Sequence, residues 1–188
     1  MDMKDKFISI FEENIQRDGS TELLNWLKKS DFFTAPASTK YHLSREGGLC
    51  EHSIHVYERL LNYVTREMID VSAETIAICG LLHDVCKVDF YKTELRNAKD
   101  EYGQWVKVPY YTVEDKLPYG HGEKSVYIVS GFMRLSREEA MAIRWHMGSF
   151  DDSVRGGSYT LNNAFERYPL SLMLHIADLE ATYLDEKE

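Results

Sequence analysis

The chain carries the octapeptide Ala77-Ile78-Cys79-Gly80-Leu81-Leu82-His83-Asp84, in which small and apolar residues run directly into an imidazole and a carboxylate. Such a run predicts a buried helix, where a polar pair is costly unless it has a partner. A metal ion would be that partner, because imidazole and carboxylate are both metal ligands. Lys87 follows Asp84 by three residues, so its ammonium is expected on the same helical face as a ligand for phosphate.

Four further side chains of ligand type stand in informative contexts: His52, His121, His146 and Asp178. Taken singly, each histidine could equally be an ordinary hydrogen-bonding residue. Together with His83 and Asp84 they form a set of imidazoles and carboxylates, which suits Fe, Mn, Zn, Co or Ni rather than calcium. The sequence therefore predicts a centre for one or two divalent transition-metal ions.

Composition limits the class of protein. The chain has 188 residues and 44% hydrophobic content, which predicts one domain over 1–188 with a sizeable core. Its formal net charge is -9, so it lacks the electrostatic footprint of a protein that binds long nucleic acid. A small anionic substrate is compatible with that charge, because metal ions neutralise phosphate locally.

Cysteine content and hydropathy bear on the compartment. The three cysteines form no CxxC pair, which argues against a disulfide framework and against a thiolate zinc site. Cys79 and Cys86 are interpreted as small core residues. No segment approaches the roughly 20 apolar residues of a membrane span. These features predict a cytoplasmic protein without membrane contact.

The apolar periodicity predicts a mainly helical chain. Two N-terminal helices are expected within 1–30, the first ending near Asp18-Gly19, and Ser72 is a predicted N-cap of the helix that delivers His83-Asp84. Alternating residues over about 90–113 predict a β-hairpin inserted beside the site. The segment 151–163, rich in Gly, Ser, Asp and Asn, is expected to be a mobile loop. Two further helix starts are predicted, a capping box from Ser136 to Glu139 and Pro169 in the first turn of the last helix.

The ordered ligands resemble those of the HD-domain metal-dependent phosphohydrolase superfamily. Its pattern H…HD…D is matched by His52, His83-Asp84 and Asp178, between about Gly47 and Glu180. This resemblance implies an all-α, mainly helical HD-domain bundle with the hairpin as a small insertion. His121 and His146 are similar to the additional histidines of binuclear members, and Lys87 to the lysine often found after the HD pair.

The resemblance also implies roles for the residues. His52, His83, Asp84 and Asp178 would hold a first metal, and Asp84 would bridge to a second held by His121 and His146. The expected reaction is hydrolysis of a phosphoester or phosphoanhydride of a small phosphorylated metabolite, with a nucleotide favoured, by a metal-activated water. Lys87 would neutralise developing charge. From their positions near His146 and His121, rather than from the resemblance, Arg144 is expected to help to bind phosphate and Glu123 to orient a ligand or move a proton. Surface charge on an amphipathic helix explains either residue equally well.

Several alternatives stay open at this stage. A minority of the superfamily are di-iron oxygenases, and a regulatory module would keep the metal without turnover. The stretch from His42 to Val56 is similar to the HD portion of certain bacterial 3′-to-5′ exoribonucleases. Hydrolysis of short RNA by a phosphodiesterase activity is therefore an alternative function. His42, His55 and His175 are expected to be structural or to support ligands from behind.

Two groups of aromatic residues have no assigned role. Trp105, Tyr110 and Tyr111 on the hairpin either stack a nucleobase or pack over the core. Phe7, Phe11 and Trp26 suit a core or a dimer interface equally well. The oligomeric state is therefore not predicted.

Overall fold

The computed structural model describes residues 2–187, so Met1 and Glu188 of the predicted domain 1–188 lie outside the described residues. The helices are α1 (Met3–Asn14), α2 (Ser20–Lys29), α3 (Gly48–Arg66), α4 (Ala73–Leu82), α5 (His121–Ser130), α6 (Arg137–Trp145), α7 (Asp152–Arg155), α8 (Thr160–Arg167) and α9 (Pro169–Glu180). Short turns of other helical types cover Val85–Lys87, Gly148–Phe150 and Ala181–Asp185. An antiparallel hairpin of β1 (Tyr91–Lys99) and β2 (Trp105–Val113) completes the described fold. The prediction of a mainly helical fold with an inserted hairpin is confirmed.

The N-terminal helices belong to the main core. Phe7 and Phe11 are at most 1% exposed and pack against α3, α4 and the segment after α2. Helix α1 ends at Asn14, earlier than the predicted Asp18-Gly19. The reason is Ile15, which takes an extended conformation and is itself 2% exposed in the core. Burial of these side chains favours folding by about 1.5–3 kcal/mol each, and it places Phe7 and Phe11 in the core.

Helix α3 is central to the bundle and packs against both α4 and α9. Its approach to α4 is close at Gly80, where a Cβ would lie 2.5 Å from the Cα of Tyr57. A side chain at this position would push the two helices apart. The close approach brings His52, near the start of α3, within reach of His83, directly after α4.

A partly buried ion-pair network joins the starts of α4 and α6. Ser72 accepts a hydrogen bond from the backbone of Thr75, and Ser136 forms the predicted capping box with Glu139. The Arg17 guanidinium donates to Glu139 at 2.8 Å and to Glu74 at 3.0 Å. Because these acidic residues lie in the first turns of α6 and α4, Arg17 fixes the two helices side by side.

The prediction of a mobile loop over 151–163 is wrong, because this segment contains α7 and the first half of α8. Asp151 accepts a hydrogen bond from the backbone of Ser153 at 3.0 Å and thereby caps α7. Leu161 and Ala164 anchor α8 against Trp145. Asp and Ser favour helix caps as strongly as loops, so composition alone did not separate the two.

The hairpin runs in register from the Tyr91–Val113 pair to the Lys99–Trp105 pair. Most of both strands is exposed, so the ribbon stands away from the helices. Its far end lies about 26 Å from its base, at about 3.3 Å per residue. Trp105 at that end is 70% exposed and does not pack over the core. Among residues 2–187, none of the helices combines the length and the apolar character that crossing a membrane requires.

Candidate metal centre

His83 and Asp84 lie at the end of α4 rather than within it. The helix stops at Leu82, His83 is its C-cap, and Asp84 leaves the helical conformation with φ -108°. The pair therefore directly follows the predicted helix instead of lying within it. Lys87 reaches Asp84 through the following 3-10 turn, with its Nζ atom 2.6 Å from Asp84 Oδ2.

The predicted first-metal ligands meet at one point in the interior. His52 Nε2 lies 3.3 Å from His83 Nε2, 3.2 Å from Asp178 Oδ1 and 3.7 Å from Asp84 Oδ2. Ligand atoms that share one ion at about 2.1 Å are separated by about 3.0–3.4 Å. Helices α3 and α9 and the end of α4 therefore place His52, His83 and Asp178 at the spacing of a shared coordination sphere, and Asp84 Oδ2 lies slightly outside that spacing.

Asp84 is the side chain that joins this cluster to the other two histidines. Its Oδ2 atom faces His52 and His83, while its Oδ1 atom lies 2.8 Å from His121 Nε2 and 3.5 Å from His146 Nε2. His121 opens α5, and His146 follows α6. A carboxylate with imidazole nitrogens grouped around each of its oxygen atoms is what a bridge between two ions requires.

The orientation of the imidazoles fits a cation. His83 Nδ1 donates to the carbonyl of Gly80 at 2.9 Å, and His146 Nδ1 donates to the carbonyl of Ile143 at 2.7 Å. In its neutral form each ring therefore turns the Nε2 lone pair toward the buried carboxylates, as metal-ligating histidines do. Lone pairs that converge in a buried space repel one another unless a cation lies between them. The donor set thus fits a divalent metal ion.

The electrostatics of the centre show where positive charge is needed. Burial opposes protonation of His52, but hydrogen bonds with Asp178 and Glu186 raise its pKa to about 10. Burial acts likewise on His121, where Cys86 and Asp84 raise the pKa to about 10. Burial lowers the pKa of His83 to about 3 in spite of Asp84. The carboxylates of Asp84 and Asp178 would have raised pKa values through burial alone, but neighbouring cationic groups hold both pKa values below the usual range.

Metal binding should therefore be coupled to proton release. His52 and His121 have pKa values above neutrality in the metal-free protein, and an imidazolium cannot ligate a metal. The ion must displace these protons, so affinity should rise from pH 6 to pH 9, by up to about tenfold per pH unit for each proton displaced. Calorimetric titration of Mn²⁺ into metal-free protein, in two buffers of different protonation enthalpy, should count about two protons released near pH 7.5. An affinity that does not change with pH would contradict this prediction.

Cys86 is a functional candidate that the sequence interpretation missed. Its Sγ atom lies 3.6 Å from His121 Nε2 and 3.9 Å from Asp84 Oδ1, so these three side chains form a group that could hold an ion. The thiol is buried, as expected, but it faces the centre rather than the apolar core. A sulfur donor beside the second position favours softer ions such as zinc over magnesium or calcium.

Two of the predicted substrate-binding residues, Arg144 and Glu123, are in contact with each other. Arg144 forms an ion pair with Glu123, and its Nη1 atom lies 2.7 Å from Asp151 Oδ2. Its guanidinium also packs 4.0 Å from the ring of Trp145. Two carboxylates thus compensate the charge of Arg144 in this conformation.

Comparison with known families gives the class of the chain. The model of the HD domain family matches residues 49–182, well over half of the sequence, so the chain belongs to the HD-domain family. This family consists in general of metal-dependent phosphohydrolases, as the resemblance predicted. Comparisons with curated proteins and with solved structures found no match. The matched segment includes every predicted ligand from His52 to Asp178, whereas His42 and Glu186 lie outside it.

Proposed function

We propose that this protein hydrolyses a phosphoester or phosphoanhydride bond of a small phosphorylated metabolite, with a nucleotide as the best candidate. One observation carries the proposal. Imidazoles and carboxylates form overlapping groups around His83 and Asp84 that could hold metal ions, and the ammonium of Lys87 lies 2.6 Å from the central carboxylate of Asp84. This combination places a fixed ammonium directly beside a cation site, which suits an anionic phosphoryl group.

The residues would divide between two positions. His52, His83, Asp84 and Asp178 would hold one divalent ion, and Asp84, His121 and His146 would hold the other. When bound, such ions supply Lewis acidity, which makes hydroxide available at neutral pH and neutralises phosphoryl oxygens. The chain itself excludes bulk water from this region, because His52, His83 and His146 are at most 1% exposed.

Lys87 is the residue proposed to neutralise charge on the substrate. Burial disfavours its ammonium form, but Asp84 outweighs that effect and raises its pKa, so the side chain carries a full charge at neutral pH. Its side chain is 12% exposed and thus lies at the rim of the centre. A fixed cation there would stabilise charge that develops on a phosphoryl oxygen. Arg144 would contact the same phosphoryl group only if its ion pairs with Asp151 and Glu123 were broken.

The open side of the centre suggests where a nucleobase would lie. His121, at 28% side-chain exposure, is the most accessible of the proposed ligands. The hairpin begins four residues after Lys87, and its base carries Tyr91 and Tyr111 with ring centroids 6.5 Å apart. Aromatic rings at such a position suit a nucleobase. Trp105, about 26 Å farther along the ribbon, is too distant to contact a mononucleotide at the centre.

A substrate screen tests the proposal. Metal-free protein is reloaded with Mn²⁺, Co²⁺ or Fe²⁺ and incubated with nucleoside mono-, di- and triphosphates, dinucleotides, cyclic nucleotides and short RNA, with products separated by chromatography. Release of phosphate or of a nucleoside from one class would support the proposal. Bound metal without any product would favour a regulatory module, and oxygen consumption with an organic substrate would favour the di-iron oxygenase alternative.

The net charge of -9 further supports a small substrate over long nucleic acid as the partner. The short-RNA members of the panel test the exonuclease alternative directly. Preference for an oligonucleotide over mononucleotides would contradict the small-metabolite assignment.

A further inference from the structure

Glu186 is a buried carboxylate that the sequence interpretation did not single out. It follows the π-helical turn Ala181–Asp185, which continues α9 and packs against α3. The residue is 5% exposed, although its neighbours in the sequence are charged. It also lies beyond residue 182, where the match to the HD domain family ends.

The carboxylate of Glu186 accepts hydrogen bonds from two imidazoles of α3. His52 Nδ1 lies 3.0 Å from Oε1 and 3.1 Å from Oε2, and His55 Nδ1 lies 2.9 Å from Oε1. His42 packs on His52 with ring centroids 5.0 Å apart, and its Nε2 atom lies 4.0 Å from Glu186 Oε2. Three imidazoles therefore surround one buried carboxylate, on the side of His52 that faces away from the metal centre.

The segment that carries Glu186 is tied to α3 at a second point. Arg59 of α3 forms ion pairs with Glu180 and with Asp185. The backbone of Glu186 donates to the carbonyl of Ala181 at 3.1 Å. These contacts lie along the turn that ends at Glu186, whose side chain points inward to His52.

His52 differs from His83 and His146 in the group that accepts its Nδ1 hydrogen. His83 and His146 donate their Nδ1 hydrogens to carbonyls of their own helices, three residues earlier. His52 donates to a side chain 134 residues away in the sequence. A carboxylate acceptor fixes the ring and increases the basicity of the opposite nitrogen more strongly than a backbone carbonyl does.

We propose that Glu186 is a positioning residue that holds His52 through its Nδ1 hydrogen, so that docking of residues 181–186 and metal occupancy of the centre favour each other. This inference rests on the metal centre of the proposed function. A cation on Nε2 makes the Nδ1 hydrogen more acidic and so strengthens its bond to Glu186. Since coupling between two binding events is reciprocal, a docked turn must raise metal affinity by the same factor.

The test compares Glu186→Gln with Asp185→Asn. The first variant keeps the size of the side chain but removes the charge that acts on His52, whereas the second removes only the partly exposed pair with Arg59. The affinity for Co²⁺, measured by competition with a chelator, should fall about 10- to 100-fold in Glu186→Gln and by less than about twofold in Asp185→Asn. Co²⁺ should also slow amide hydrogen exchange over 181–186 in the parent protein, and much less in Glu186→Gln.

Each outcome has a defined meaning. Equal Co²⁺ affinity in the parent and Glu186→Gln, with equal protection of 181–186, would overturn the positioning role even if the parent hydrolyses a nucleotide. A parent that binds no Co²⁺ would overturn the metal centre and this inference together. If Glu186→Gln does not fold, Glu186→Asp, which keeps the charge on a shorter side chain, should bind Co²⁺ with intermediate affinity. Parent-like affinity in Glu186→Asp, with parent-like protection of the turn, would again overturn the role.

Discussion

Asp84→Asn should abolish hydrolysis, with turnover reduced at least about 10³-fold, and should leave at most one metal per chain. The amide retains the shape of the carboxylate but loses its charge and offers only one good acceptor oxygen. In the structure both oxygens of Asp84 are used, Oδ2 toward His52 and Lys87, and Oδ1 toward His121 and His146. Loss of the carboxylate charge of Asp84 therefore weakens both proposed metal positions at once.

Metal content of purified protein and turnover on the nucleotide identified by the screen are the measurements. Asp89→Asn is the matched control, because this aspartate lies five residues later and is exposed. Its left-handed backbone, with φ 52°, tolerates asparagine. The control should keep the metal content and turnover of the parent. Unchanged metal content and turnover in Asp84→Asn would refute the assigned site.

Regular periodicity made much of the fold predictable. The proposed ligand His52 lies on an amphipathic helix, and the helix starts at Ser72 and Ser136 carry local capping signals that depend only on neighbouring residues. The break after Leu82 was not predictable in the same way, because Val85 and Cys86 continue the apolar run and both are buried. A 3-10 turn and an α-helical turn bury apolar residues at nearly the same intervals in the sequence.

Glu186 and Cys86 show the limit of sequence reasoning at the site. Glu186 stands in a charged run that has the composition of a solvated segment, and only the tertiary contact with α3 makes it a partner of His52. Cys86 was assigned to the core because a buried thiol and a ligand thiol follow the same hydropathy pattern. Its position 3.6 Å from His121 Nε2 depends on how α5 packs against the 3-10 turn, which no local pattern specifies.

His121→Ala and His146→Ala should each reduce the metal content from near two ions per chain to near one. Both imidazoles direct Nε2 to the same oxygen of Asp84, at 2.8 Å and 3.5 Å, while the other ligands lie around Oδ2. Loss of either donor should therefore empty one position and leave His52, His83 and Asp178 to retain the other. Elemental analysis of protein purified without added metal measures this count.

The two variants differ in a way that separates ligand loss from unfolding. His121 is partly exposed and His146 is 1% exposed, so truncation of His146 should also lower the free energy of unfolding, by about 2–4 kcal/mol. His175→Ala is the control, because this ring faces Phe165 and donates to the backbone carbonyl of His146 rather than to the centre. It should keep the metal count of the parent. One metal in the parent, retained in both ligand variants, would contradict the binuclear centre and assign His121 and His146 to substrate binding or to structure.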